Sequence, residues 1–247
     1  KQKTPVLDKL AKEGIRLTSF YAGATVCTPS RMALLTGAYP PRVGWRGGVV
    51  GYGIKTLNGL APEALTMGEV FKGAGYQTAL IGKWHLNSDP QGFDYWQILL
   101  GQGIYYNPPM KTAAGVIKTA GYVTDITTDV SMAWVKGRDK SKPFMLMCQQ
   151  KAPHREWSPN LTDLGWDKGR VYPEPETLFD DYKDRAFSVG DQDMSLEKTI
   201  SPLDMKLVHP PGITPEQAKA WDAYYGPVNE AYRKADPKEP FAALAFK

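Results

Sequence analysis

The first 150 residues alternate between two hydrophobic patterns, one with the period of a helix and one typical of strands. A helix is predicted from a first-turn proline, Pro5, to Gly14. The β-branched and aromatic residues 15–21 predict a strand. A second helix should begin just before Pro29 and end at Gly37.

The same alternation continues through two further helix and strand units. Thr66 caps a predicted helix that is followed by an apolar strand at residues 76–81. Farther along the chain, Asp125 caps a predicted helix that ends at Gly137. An almost wholly apolar strand follows at residues 143–149. The predicted fold class is therefore α/β, with a mostly parallel central sheet flanked by helices.

Other parts of the chain have no clear period. Residues 38–62, rich in glycine and proline, predict a long loop, and residues 94–122 predict an irregular region. We expect one domain with three parts: a core at 1–156, a polar and proline-rich excursion at 157–213, and a final helical segment at 214–247.

Composition excludes several classes of protein. The 247 residues, 42% of them hydrophobic, can bury a sizeable core, and no apolar run approaches a membrane span. The net charge of +4 is scattered, which suits an anionic substrate and gives no nucleic-acid footprint. The only cysteines are Cys27 and Cys148. A bridge between them is possible, although it would consume Cys27, and Cys148 is expected in the core.

Cys27 is the first candidate for chemistry, because the predicted helix presents it at a helix N-terminus. Unpaired backbone N–H groups and the helix dipole favour negative charge there. Arg31, one turn into the helix, adds a fixed cation. This stretch is therefore suited to an anion or an anionic intermediate.

Basic residues follow the two best-defined strands. Lys83 and His85 stand in Gly-Lys-Trp-His-Leu, where an extended chain would turn both to one side. Lys151 and His154 stand in Lys-Ala-Pro-His, where the proline restricts the backbone. Because open α/β sheets bind ligands at the carboxyl ends of their strands, we expect these side chains near Cys27.

Three strings together resemble the type I sulfatases of the alkaline-phosphatase-like superfamily. Residues 27–31, Cys-Thr-Pro-Ser-Arg, followed by Leu-Thr-Gly at 35–37, are similar to the family signature. The strings at 82–86 and 151–157 resemble two later family blocks, in the family's order. The irregular region around Gly-Gln-Gly at 101–103 looks like the substrate-facing insertion of sulfatases that act on sugars.

The resemblance implies a role for each candidate. Cys27 would be oxidised to formylglycine by a maturation enzyme, and the hydrated aldehyde would be the nucleophile, with Arg31 steadying its oxyanion. The residues implied to contact sulfate are Lys83, His85 and Lys151. His154 would be the acid for the departing alcohol.

The family also binds a divalent metal, commonly Ca²⁺, through Asp and Asn or His side chains that lie outside this sequence in the family's order. The chain is thus expected to be truncated at both ends and to turn over little by itself. The pair Asp180-Asp181 is interpreted as solvated loop or carbohydrate-contact residues, and the third histidine, His209, as a surface loop residue.

The implied function is hydrolysis of a sulfate monoester on a sugar, such as a 6-O-sulfated N-acetylglucosamine in mucin or a glycosaminoglycan. A phosphonate or phosphodiester hydrolase of the same superfamily, or an inactive carbohydrate-binding module, remains open. No signal peptide is visible in the sequence, and a removed one would leave no trace. For such a substrate we expect a periplasmic or secreted protein.

Overall fold

The structure is a computed structural model that describes residues 3–45, 47, 59–166, 168–173, 175–177, 180–191 and 199–235. The helices are α1 (Pro5–Glu13), α2 (Cys27–Thr36), α3 (Met67–Gly73), α4 (Val123–Gly137), α5 (Phe187–Gly190) and α6 (Pro215–Lys234). The strands are β1 (Gln77–Gly82), β2 (Tyr95–Leu99), β3 (Pro109–Thr112), β4 (Gly115–Lys118) and β5 (Phe144–Gln149). Short 3-10 helices lie at Pro40–Val43 and Leu161–Asp163.

The five strands form one open sheet in the order β4-β3-β2-β1-β5. Strand β1 pairs in parallel with both β2 and β5, whereas β3 pairs antiparallel with β2 and with β4. The predicted α/β class with parallel strands is confirmed. The antiparallel pair extends the sheet on one side, so the sheet is mixed.

The prediction of an irregular region at 94–122 is wrong, because this region contains three strands. Strand β2 adds to β1, and β3 and β4 form a hairpin whose turn is held by Thr112, which donates its hydroxyl to the Gly115 carbonyl at 3.1 Å. Each strand is only four or five residues long. Runs this short give too few positions for a period to stand out.

The strand predicted at 15–21 is also wrong, because these residues have no strand conformation. A strand is stabilised by pairing with a neighbour, and no described strand lies beside this segment. Its apolar side chains are exposed, from Leu17 at 66% to Ile15 at 89%. β-branched and aromatic content alone therefore misled the prediction.

Some helices begin or end at the residues predicted from the sequence, and others do not. Thr66 and Thr214 each form a capping box at the start of α3 and α6, as a threonine followed by Glu or Gln three residues later favours. Helix α4 begins earlier than predicted, at Val123, so Asp125 lies in its first turn and Tyr122 is the N-cap. Helix α2 ends at Gly37, as predicted, and this glycine has the left-handed conformation.

Cys148 is exposed and not in the core, because β5 is the last strand of the described sheet. Cys27 and Cys148 are both free thiols, which excludes the bridge that the sequence left open. None of the helices that the structure describes has the length and hydropathy of a transmembrane span. The predicted loop at 38–62 lies partly outside the described residues, and the division at 156 and 213 stays a prediction.

Two apolar clusters support the sheet. The first packs α2 against β1 and β2 and consists of Met32, Leu35, Trp45, Leu60, Leu80, Trp84, Leu86, Phe93 and Ile98. The second joins the end of β2 to α6 and consists of Leu99, Tyr105, Tyr106, Met110, Val123 and Trp221. The carboxyl ends of β1 and β5 lie side by side, with Gly82 opposite Gln149, and the candidate residues of both strands follow directly.

Candidate active site

Cys27 is the first residue of α2, as predicted. The N-cap Val26 is extended and supplies no side-chain acceptor, and the first turn holds no acidic residue. Thr28, fully buried, donates its hydroxyl to the His85 carbonyl at 3.2 Å, which fixes the helix start beside the end of β1. The N-terminal N–H groups and the helix dipole are therefore available to an anion at Cys27.

Gly82 lets the chain leave β1 toward this helix. Its φ of 102° suits glycine, and a Cβ there would lie 2.0 Å from the Gln149 carbonyl oxygen on β5. A side chain would therefore force the two parallel strands apart. The close approach allows Lys83 to donate its N–H to the same carbonyl at 2.7 Å.

Lys83 and His85 both approach Cys27, although strand alternation is not the reason. Strand β1 ends at Gly82, and His85 turns toward Cys27 through a left-handed φ of 57°. The Cys27 Sγ lies 3.3 Å from His85 Nδ1. Trp84 enters the first apolar cluster, and its neighbours Lys83 and His85 are each only 2% exposed.

Arg31 ties α2 to the strand ends. Its guanidinium donates to the Lys83 carbonyl at 2.5 Å and to the side-chain oxygen of Gln149. Burial lowers the pKa of Arg31, and the charge of Cys27 opposes that shift. The guanidinium is a fixed cation next to Cys27, held by neutral acceptors.

The Lys83 ammonium is held by a residue of the insertion that the resemblance indicated, although no role was predicted for that residue. Gln102, the centre of Gly-Gln-Gly, accepts a hydrogen bond from Lys83 Nζ at 2.6 Å. Burial lowers the pKa of Lys83 to about 8; the charge of Cys27 opposes this, whereas Arg31 and Lys151 lower it further. The amide orients the ammonium without neutralising it, which keeps its charge available to a ligand.

Lys151 and His154 reach the same region from the end of β5. Lys151 is buried with its Nζ 4.6 Å from the centre of the Tyr105 ring. His154 Nδ1 lies 2.6 Å from the Arg155 carbonyl oxygen, which can only accept, so Nδ1 carries the proton and Nε2 is left for a ligand. Burial lowers the pKa of His154, and Lys83 and Lys151 lower it further.

Three tyrosines brace the loop that carries His154. Tyr105 donates its hydroxyl to the His154 carbonyl at 2.5 Å, and Tyr122 donates to the Ser158 carbonyl at 2.8 Å. Tyr106 donates to the carbonyl of Pro159. These contacts come from the region predicted to be irregular, and no local sequence pattern indicates them.

The arrangement concentrates positive charge around one thiol and is suited to bind an anion. Among the residues that the structure describes, no group of three or more His, Cys, Asp or Glu side chains is placed to hold a metal ion. Because Ca²⁺ takes about six to eight oxygen ligands, usually with carboxylates among them, the described residues do not fit the calcium site that the resemblance implies.

Asp180, Asp181 and His209 each have contacts outside the candidate site. Asp180 pairs with Arg185, and Asp180 and Asp181 each accept a hydrogen bond from a backbone N–H two residues on. His209 Nε2 lies 2.7 Å from an Asp222 oxygen on the surface of α6. Both sets lie in loops, as predicted, but the Asp180 side chain is only 14% exposed.

Comparisons with known proteins agree with the site chemistry. The family model for "Sulfatase" matches residues 1–206. The N-acetylglucosamine-6-O-sulfatase of Bacteroides thetaiotaomicron is 39% identical over 96% of this chain and 44% of its own length. The steryl-sulfatase of Mus musculus is 53% identical over 36% of this chain and 15% of its own.

One solved structure shares nearly the whole described fold. It is a protein in complex with its substrate, D-glucosamine-2-N,6-O-disulfate, and it matches with a TM-score of 0.86 and 37% identity over 98% of this chain and 51% of that one. The chain thus spans about half the length of the relatives that it matches along most of its own length.

Proposed function

Because this chain belongs to the sulfatase family, we propose that the protein hydrolyses a sulfate monoester carried by a sugar. The observation that carries the proposal is the convergence of Lys83, His85 and Arg31 on Cys27 at a helix N-terminus. The sugar is supported by the two relatives that resemble most of this chain, one named for N-acetylglucosamine 6-O-sulfate esters and one solved with a sulfated glucosamine.

Cys27 is proposed to be the site of the nucleophile after a maturation enzyme converts it to formylglycine. The hydrated aldehyde supplies a hydroxyl that can attack sulfur and a second hydroxyl that can later expel sulfate. The residues of this chain orient that group: His85 lies 3.3 Å from Cys27 Sγ, and Arg31 lies one turn along the same helix. Lys83 and Lys151 supply cations to the sulfate oxygens.

His154 is proposed to protonate the leaving alcohol as the S–O bond to the sugar breaks. Its Nδ1–H is committed to the Arg155 carbonyl, so Nε2 is the atom that delivers the proton. Burial, and to a smaller extent the cations Lys83 and Lys151, lowers the pKa of His154 in the free protein. A sulfate group at the site would offset those cations and let His154 take up the proton that it then donates.

Ca²⁺ is proposed for the complete enzyme, as the resemblance implies, but no step above is routed through it, because the described residues do not offer it a ligand set. We propose a periplasmic or secreted location, because sulfated glycans of mucins and glycosaminoglycans are extracellular. No other partner is required by the proposal beyond the sulfated sugar and the maturation enzyme.

The first test is the mass of the peptide that contains Cys27 in protein from its natural host. Conversion to formylglycine lowers the mass by about 18 Da, whereas the hydrate is nearly isobaric with cysteine. Borohydride reduces the aldehyde to an alcohol and leaves cysteine unchanged. Reduction before digestion therefore distinguishes the formylglycine hydrate from unconverted cysteine. Cys27→Ser should abolish turnover, and an unconverted, fully active Cys27 would refute the proposed nucleophile.

The second test compares matched sulfate and phosphate esters of one sugar. We expect sulfate to be preferred. Preference for the phosphate ester would support the alternative phosphonate or phosphodiester hydrolase. Sugar binding without turnover, in protein whose Cys27 is converted, would support the carbohydrate-binding alternative.

A further inference from the structure

Gln102 stands at the carboxyl end of a third strand that reaches the same edge of the sheet. Strand β2 runs parallel to β1 and ends at Leu99. A tight turn follows, in which the Gly103 N–H donates to the Leu100 carbonyl at 2.9 Å. This turn brings Gln102 beside Lys83, the residue that directly follows β1. The steps proposed above give Gln102 no contact with a ligand.

The hydrogen bond to Lys83 fixes which way the Gln102 amide faces. An ammonium can only donate, so Oε1 faces Lys83 Nζ at 2.6 Å and the amide NH₂ group is turned away from it. The two N–H groups on Nε2 are then directed donors. An amide whose oxygen accepts from a cation is also polarised, which strengthens its N–H groups as donors.

The donor side of this amide is open. The contact of Oε1 with Lys83 is the only hydrogen bond that the Gln102 side chain makes within the described part of the chain. Nε2 is not one of the buried, unpartnered polar atoms of the described residues, and Gln102 as a whole is partly exposed. Nε2 therefore keeps contact with solvent, and a ligand that enters from solvent can reach it.

The charges next to the amide favour an anion as its acceptor. The Lys83 ammonium carries three N–H groups, one of which Gln102 accepts, and Lys83 is only 2% exposed. Lys151, from the end of β5, places its ammonium 4.6 Å from the ring centre of Tyr105, three residues after Gln102. Buried cations favour an anion beside them. Sulfate oxygens only accept hydrogen bonds, so they fit both the amide and the ammonium groups.

The geometry of the amide lets one anion use both donors. Nε2 and Oε1 share one carbon atom, so the N–H groups lie close to Lys83 Nζ without contacting it. A tetrahedral anion presents oxygens in several directions. One oxygen can accept from Gln102 while another faces the Lys83 ammonium, and the neutral amide does not cancel the positive charge that attracts the anion.

We propose that Gln102 is a further sulfate-binding residue, in which Oε1 holds the Lys83 ammonium and Nε2 donates a hydrogen bond to an oxygen of the sulfate group. This inference rests on the proposed function and deepens it. The contact is made to the sulfate group itself. Loss of Nε2 should therefore weaken the binding of inorganic sulfate and of every sulfate ester by a similar factor.

Two substitutions separate a contact with sulfate from support of Lys83. Gln102→Met keeps the length of the side chain and removes both the amide acceptor and the donor. Gln102→Glu is isosteric, keeps an acceptor for Lys83, and replaces the donor by a carboxylate that repels sulfate. Sulfate affinity should therefore be highest in wild type, lower in Gln102→Met and lowest in Gln102→Glu. If Gln102 only held Lys83, Gln102→Glu would bind sulfate better than Gln102→Met.

The measurement is calorimetric titration of the mature full-length protein with inorganic sulfate, followed by kinetics on N-acetylglucosamine 6-sulfate and 4-nitrophenyl sulfate. We expect the Kd for sulfate to rise roughly 10- to 100-fold in Gln102→Met, the range of a hydrogen bond to a charged group, and further in Gln102→Glu. The fall in kcat/KM should agree between the two esters to within about threefold.

The matched control is Gln77→Glu, the same substitution at the opposite, amino-terminal end of β1. The Gln77 amide donates to the Asp139 carbonyl at 2.7 Å. This variant should bind sulfate as wild type does. Tighter sulfate binding by Gln102→Glu than by Gln102→Met would overturn the proposal, and so would unchanged binding in both. A loss confined to the sugar ester would also overturn it, because Nε2 would then face the sugar.

The sulfate titration keeps the test independent of turnover. A wild type that binds inorganic sulfate but cleaves no sulfate ester, with Cys27 converted, would refute the proposed function, and the order of the Kd values would still decide the role of Gln102. An active wild type whose Gln102 variants bind sulfate equally well would refute the inference alone. A wild type that binds no sulfate would refute both.

Discussion

Replacement of Lys83 by methionine removes the most perturbed cation of the site with little change in length. Burial lowers the pKa of Lys83 from 10.5 to about 8, so the native state binds fewer protons than the unfolded state between these values. Stability therefore rises with pH across this window in wild type. The two pKa values give a gain of about 2 kcal/mol between pH 7 and pH 10, and Lys83→Met should lack it.

The measurement is urea unfolding of both proteins at pH 7 and pH 10. The difference between them isolates Lys83, because tyrosines and the other lysines titrate in both. At pH 7 added sulfate should stabilise wild type more than Lys83→Met, since the variant has lost a cation from the anion site. Parallel pH dependences, or equal stabilisation by sulfate, would refute the view that Lys83 is held charged and desolvated for an anion.

Three further predictions concern Gly82 at the end of β1, Trp221 in the second apolar cluster, and His154, the proposed general acid. Gly82→Ala should lower the free energy of unfolding by roughly 3 kcal/mol in urea titrations, because the new Cβ would lie 2.0 Å from the Gln149 carbonyl oxygen. An unchanged unfolding midpoint would contradict this prediction. Trp221→Ala should lower the free energy of unfolding by about 3–5 kcal/mol in thermal unfolding, since this ring is buried against Tyr106. A smaller loss would mean that α6 is a minor part of the core. Sulfate binding near neutral pH should be accompanied by proton uptake at His154, because the pKa of this residue is low in the free protein. The binding enthalpy should then differ between two buffers of different ionisation heat in calorimetry. An enthalpy that is the same in both buffers would contradict the prediction.

Local patterns predicted those parts of the protein that depend on neighbours in sequence. The cap at Thr66 and the helix end at Gly37 depend only on residues within a turn, and both predictions were correct. The strand predicted at 15–21 failed because a strand is defined by a partner that local sequence does not name. The strands β2, β3 and β4 were missed because runs of four or five residues are too short to show a period.

Short strings in the sequence predicted Cys27, Lys83 and His154 as candidates for the chemistry, because their local geometry and family resemblance both indicate an anion site. Only the tertiary structure decided how they are held. The role of Gln102 could not be read from its Gly-Gln-Gly string, since it comes from a hydrogen bond to Lys83, which lies on another segment. Residue types and short spacings are written along the chain, whereas burial and electrostatic neighbours arise from contacts between distant segments, which exist only in the folded protein.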